Sequence, residues 1–265
     1  MREQVPRLLS LFLLLTAVGI AACTVVPDTG RKQFNPLNPR EEARLGFTEF
    51  EKMKREKPLS QNTTYQAQVQ RVGERLPRVM PVPDAEWEFV VFEDDTPNAF
   101  ALPGGKVGVH TGLFQITESD EGLAAVMGHE VAHVVARHSG ERMTQGALSA
   151  GAAVLANEMI RQNSNMNDTQ QIAAATALGG AALLNTQRFS RKQELEADQL
   201  GALYMARAGY DPRESVELWK RFAAWREKTG NVSKTPTFLA THPLDSVRIA
   251  ELDRFMPRAM SEYRR

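Results

Sequence analysis

The sequence predicts an α+β domain, mostly helical, with a small β-sheet beside one apolar helix. Three observations point there. Strand signal is confined to residues 86–112, where aromatic and β-branched residues alternate with a Pro-Gly-Gly turn. Helical periodicity with charged faces occupies most of the rest. The length, 265 residues, suits one large domain with a sizeable core. Lys+Arg and Asp+Glu are both 32, so no basic excess argues for nucleic acid and no acidic excess for a disordered tail.

The first 22 residues read as a leader. "MREQVPR" is a short basic segment, and Leu8 to Ala22 is an apolar run of 15 residues. That is shorter than the roughly 20 residues a transmembrane helix needs, and it suits a secretory signal. The run ends in "IAAC", which resembles a bacterial lipobox. The resemblance implies cleavage before Cys23, lipid on that residue, and, because Thr24 follows instead of aspartate, sorting to the outer membrane. Cys23 is the single cysteine of the chain, so no internal disulfide competes for it. Removing Arg2, Glu3 and Arg7 leaves 30 basic and 31 acidic residues, net −1. Residues 23–39, rich in Pro and Asn and without periodicity, read as a lipidated tether, and 40–265 as the domain.

Within that domain, 40–57 reads as a helix ended by Pro58, and 63–76 as a second helix with Val69, Val72 and Leu76 on one side. "EWEFVVFE" (86–93) reads as a strand, and "NAFALPGGKVGVHTG" (98–112) as two strands around a tight turn. A helix follows, with Ser119 or Thr117 as cap and acids 118, 120 and 121 near its first turn. The Ala/Gly-rich stretch 145–184, split by polar 161–171, reads as a helical hairpin. Its small residues suit close helix packing, a mobile cover or an element dipping into a membrane, and sequence does not separate these. Residues 188–208 read as another helix stopped by Gly209. The next starts at Asp211-Pro212, a loop follows at 229–241, and the last helix starts near Pro243.

The chemistry sits in "MGHEVAHVVARH" (127–138). His129 and His133, four residues apart, share one face of a helix and can grip one Zn²⁺ at ~2.0–2.1 Å. Glu130, offset by about 100°, can act as general base on a metal-activated water. The competing reading is a pair of structural histidines. A catalytic zinc needs a third protein ligand. A third histidine six residues on is absent, since that position is Ser139, and Ala136 stands where that pattern needs glycine. His138 lies about 140° around a continuing helix, which reads as a surface or helix-terminal residue. "SRKQELEADQLG" offers acids instead: Glu194, Ala197, Asp198 and Gly201 share a face lined otherwise by small residues. Glu194 then completes the ligand set, and Asp198, one turn on, can accept the other ring N–H of a ligating histidine. Glu196 points about 200° from Glu194.

These motifs resemble the membrane-associated gluzincin peptidases of the HtpX, Oma and CAAX-prenyl-protease type. "NAFALPGGKVGVHTGL", "AGYDPRESVELWKRF" and "THPLDSVRI" resemble further segments of that family. The lipoprotein start is similar to its periplasmic LoiP and BepA members. BepA-type chains continue into helical repeats, so this chain is more similar to LoiP. The resemblance implies a zincin-like metallopeptidase domain with one Zn²⁺ per chain on His129, His133 and Glu194. It implies Glu130 as general base and Asp198 as an orienting or proton-handling residue. Asn98, Ala99 and Phe100 would lie on an edge strand that pairs an extended substrate. His242 would approach the zinc, either to donate to the developing oxyanion or to occupy its open position and hold the enzyme latent. His110 departs from the apolar or aromatic residue the family suggests; it reads as a strand-face histidine or one near the cleft. The implied function is endopeptidase action on misfolded or unassembled envelope proteins, in the periplasm of a Gram-negative bacterium. Anchoring through Cys23 and outer-membrane assembly machinery as a partner belong to the same reading. The alternative is a latent zinc protein serving mainly as a chaperone or assembly scaffold.

Overall fold

The computed structural model describes residues 23–82, 84–162, 166–229, 237–243 and 246–264. The leader read at 1–22, and most of the loop read at 229–241, lie outside the described residues. The chain divides into two compact units.

The smaller unit contains residues 23–26, 30–38 and 139–191 of the described chain. Strands β1 (Cys23–Val25) and β2 (Lys32–Phe34) pair antiparallel, Cys23 opposite Phe34. The stretch read as an irregular tether thus carries a small ladder; three-residue strands are too short to show a period. Arg31 grips the buried carboxylate of Glu141 with two hydrogen bonds of 2.8 Å. Met143, Leu148, Val154, Leu155, Met159 and Ile172 of the helical part are exposed.

The larger unit contains residues 27–29, 39–138 and 192–264 of the described chain. Helices α1 (Pro39–Glu56) and α2 (Thr63–Arg75) precede a three-stranded sheet in the order β3-β5-β4. β3 (Glu88–Phe92) runs parallel to β5 (Lys106–His110), while β4 (Ala99–Leu102) is antiparallel to β5 and forms an edge. The β4–β5 turn needs Gly104 and Gly105, whose φ values are +86° and +90°. The short α3 (Phe114–Thr117) leads into α4 (Asp120–Val135). Ser119 caps α4, its hydroxyl accepting from Gly122 N at 3.0 Å.

All of α4 is buried except Asp120, Glu121 and Val134. A helix apolar all round belongs in a core, and this one packs on α2, α3 and β4. The two histidines and the glutamate it carries are therefore removed from solvent by sequence-encoded packing.

Two helices belong to both units, α5 (His138–Gln162) and α6 (Asp168–Arg207). The segments read as separate helices, up to 184 and from 188, form one helix of 40 residues. Asn185 and Thr186 are only weak helix formers, but without Gly or Pro nothing stops the helix there. α6 ends before Gly209, with Tyr210 N bonding back to Met205 O at 2.9 Å. α7 (Glu214–Thr229) begins after a turn capped by Asp211, which accepts from Arg213 N at 3.0 Å. α7 packs on α3 and α4. The short α8 (Thr237–Thr241) and the final α9 (Ser246–Glu262) complete the unit. Among the described residues no helix is long and apolar enough to cross a membrane.

Candidate metal centre

Helix α6 approaches α4 at glycines. Gly201 lies so close that a Cβ there would stand 2.9 Å from His129 N and 3.1 Å from Gly128 C. This contact brings the acidic face of α6, three and seven residues upstream, against the histidine face of α4.

Four donors converge there: His129, His133, Glu194 and His242, all buried, with their ligand atoms within 4.8 Å of one another. His129 Nε2 is 3.2 Å from His133 Nε2 and 3.2 Å from His242 Nδ1. Glu194 Oε2 lies 2.8 Å from His242 Nδ1 and 3.3 Å from His129 Nε2, and its Oε1 is 3.4 Å from His133 Nε2. That Oε1 is buried without a hydrogen bond. A buried carboxylate oxygen and facing imidazole nitrogens form a donor set that a divalent cation satisfies. The residues present fit a metal.

The surroundings orient these donors. Asp198 Oδ1 is 2.9 Å from His129 Nδ1, on the side away from the cluster. A proton on Nδ1 leaves Nε2 as the lone-pair donor. Glu130 Oε1 lies 3.2 Å from His242 Nε2, beside the cluster. Arg248 on α9, 1% exposed, forms two hydrogen bonds to Asp198 of 2.8 and 2.9 Å. It also reaches Glu194 Oε2 at 3.3 Å, bonds Pro243 O at 3.1 Å, and lies 4.3 Å over the Trp219 ring.

Burial opposes ionisation of Glu194, Asp198, His129 and His133, and neighbouring charges overcome it at the first three. Glu194 is held far below the usual carboxylate range by His133, His129 and His242 despite burial. Asp198 is likewise lowered, chiefly by Arg248, against the cost of burial. For His129, burial disfavours the charged form, yet Asp198 and Glu194 raise its pKa to about 9. Burial drives His133 well below the ordinary histidine value. A proton on His129 and a divalent cation thus compete for the same negative pocket.

The structure places His129, His133, Glu194, Asp198, Glu130 and His242 together. Other expectations change. His138 is helix-terminal, opening α5, but it is wholly buried and not at the surface, because α4 stops at Val135 and Arg137 adopts φ +53°, turning the chain back. Glu196 does point away from Glu194, but it too is buried. His110 lies outside the donor cluster, its Nδ1 3.2 Å from Thr96 O and its ring against Phe92 and Phe100. Phe100 packs its ring on Phe50, Phe92 and His110, so its side chain serves the core. His110 N bonds Asn98 O, and pairing alternates along an antiparallel ladder. Asn98 and Phe100 therefore direct their backbone groups to β5, while Ala99 and Ala101 direct theirs to the other side. Cys23 is exposed.

Arg248 was missed by sequence reasoning. The available signal was electrostatic: two buried carboxylates on one helix face require a cation.

A model of peptidase family M48 matches residues 63–256. The mitochondrial metalloendopeptidase OMA1 of Schizosaccharomyces pombe is 34% identical over 239 residues, covering 88% of this chain and 66% of that protein. OMA1 of Saccharomyces cerevisiae is 33% identical over 184 residues, covering 67% and 49%. The beta-barrel assembly-enhancing protease of Escherichia coli K12 is 27% identical over 234 residues, covering 85% and 46%. The chain thus spans about half to two thirds of the length of these relatives.

Proposed function

Since the chain belongs to peptidase family M48, we propose that it is a zinc-dependent endopeptidase acting on unfolded or misassembled envelope proteins. The observation that carries this reading is the buried His129–His133–Glu194 donor set with Glu130 beside it. These three residues would hold one Zn²⁺, which would supply Lewis acidity toward a peptide carbonyl and toward water. Glu130 takes the proton from the attacking water and returns it to the leaving amine nitrogen. Asp198 faces His129 Nδ1 at 2.9 Å, which favours the proton on that nitrogen, and Arg248 keeps Asp198 ionised. An extended substrate pairs with the outward backbone groups of Ala99 and Ala101, giving sequence-tolerant binding.

Location and substrates rest on two supports. The leader and Cys23 suit a lipid anchor in the outer membrane, and the Escherichia coli relative is named for assembly of β-barrels. Outer-membrane assembly machinery is the partner that fits both.

A specific observation favours a second state. His242 Nδ1 stands inside the donor cluster, 2.8 Å from Glu194 Oε2. With a metal bound, His242 as a fourth protein ligand would close the position substrate needs and hold the resting enzyme latent. His242→Ala then raises the cleavage rate; a protein that acts only as a chaperone or scaffold shows no cleavage in either form.

The test is casein cleavage by the zinc-loaded full chain beside Glu130→Gln, each also carrying His242→Ala. Cleavage that disappears with Glu130→Gln while zinc stays bound supports the reading. Equal cleavage with and without Glu130 overturns it.

A further inference from the structure

His133 has a second set of contacts, on the side away from the donor cluster. Its Nδ1 lies 2.8 Å from His138 Nδ1. His138 Nε2 is 2.9 Å from Glu196 Oε2, and Thr29 Oγ1 donates to Glu196 Oε1 at 2.6 Å. His138 is 0% exposed and Glu196 7%.

Two ring nitrogens at hydrogen-bond distance share one proton between them. If His133 offers the lone pair of Nε2 to a cation, its own proton sits on Nδ1 and is donated to His138 Nδ1. The proton of His138 is then on Nε2 and is donated to the Glu196 carboxylate. Every proton in the chain is thereby assigned, and each assignment keeps His133 in the metal-binding tautomer.

The backbone argues independently. A continued α4 would carry His138 about 140° away from His133. Instead the helix stops and Arg137 takes φ +53°, an unfavourable conformation for a residue with a Cβ. Two hydrogen bonds from Arg137 to buried Glu42, of 2.7 and 3.2 Å, hold that turn. The result is to return the His138 ring to within 4.8 Å of the His133 ring, centroid to centroid.

We propose that His138 and Glu196 are positioning residues for the metal. They form a relay that fixes the tautomer and ring orientation of His133, as Asp198 does for His129. The proposal rests on His133 being a metal ligand. It gives the two histidines of the HEVAH segment one carboxylate each, one direct and one through a second imidazole.

Chelator competition at neutral pH measures the zinc dissociation constant of the full chain as wild type, His138→Ala, His138→Asn and Glu196→Leu. Apo-protein thermal unfolding and circular dichroism report folding. Wild type binds zinc tightly, and His138→Ala weakens binding roughly 10–100-fold. His138→Asn recovers most of that loss, because its Oδ1 can accept the Nδ1 proton of His133. A merely space-filling role predicts no such difference between variants that both shrink the side chain. Should His138→Ala fail to fold, Glu196→Leu decides, with several-fold weaker binding expected. Wild-type affinity in a folded His138→Ala or Glu196→Leu variant overturns the relay. A wild type that binds no zinc overturns the metal reading beneath it.

Discussion

Gly201→Ala places a methyl group against the backbone of α4. The new Cβ would stand 2.9 Å from His129 N, where ordinary contact begins near 3.4 Å. Since the opposing atoms are helix backbone, α6 must move back by about 0.5 Å. Asp198 is three residues away on the same helix, roughly 4.5 Å along its axis, and moves with it. Its 2.9 Å contact to His129 Nδ1 then lengthens and orients the ring less well. Overpacking of this kind costs about 1–3 kcal/mol, or about 2–12 °C in Tm at 2–4 °C per kcal/mol. Loss of the orienting contact lowers zinc affinity roughly 10-fold or more. The assays are scanning calorimetry and chelator competition. The control is Gly151→Ala on α5, where a Cβ meets nothing within 4 Å; there the gain in helix propensity raises stability by roughly 0.5–1 kcal/mol. Wild-type Tm together with wild-type zinc affinity in Gly201→Ala would show that the α4–α6 contact does not set the position of Asp198.

Arg248→Leu leaves the carboxylates of Asp198 and Glu194 buried without their guanidinium, and costs about 3–5 kcal/mol in urea unfolding; unchanged stability contradicts the role given to Arg248. Ala101→Pro removes an N–H directed away from β5, so it raises KM for unfolded substrate while Tm stays near wild type; a KM equal to wild type contradicts edge-strand pairing. Asp28 has a pKa lowered below 3.8, first by its hydrogen bond from Arg207. Between the folded and unfolded pKa values the unfolded chain binds the extra proton, so stability rises with pH there. The contribution is full above about pH 4 and is lost as pH falls through the folded value. Asp28→Asn therefore flattens the acid limb of stability against pH, and an unaltered limb contradicts the pairing.

Local spacing carried much of the site. His129 and His133 at i, i+4, and Glu194 and Asp198 at i, i+4, require only that each segment be helical. The small residues beside the acids signal close approach, which Gly201 makes against Gly128 and His129. Positions set by a break in regular structure were not legible. His138 looked remote because nothing between Val135 and His138 is Gly or Pro, yet the helix stops and Arg137 turns left-handed. Arg248 reads as one basic residue on a helix flank; its role depends on where α9 lands against Trp219 and Asp198. Phe100 carried strand signal correctly, but which side a residue's backbone faces depends on register, and Asn98–His110 pairing sets that. The ladder of Cys23–Val25 with Lys32–Phe34 is too short for periodicity to detect.

If His129, His133 and Glu194 hold one zinc ion with His242 beside it at rest, zinc X-ray absorption on the purified full chain reads that ligand set, with metal content determined on the same sample. The expected result is one zinc per chain bound by nitrogen and oxygen donors only, with three imidazoles in the wild type and two in His242→Ala. Zinc absent at stoichiometric level, or an imidazole count unchanged by His242→Ala, rules this ligand set out.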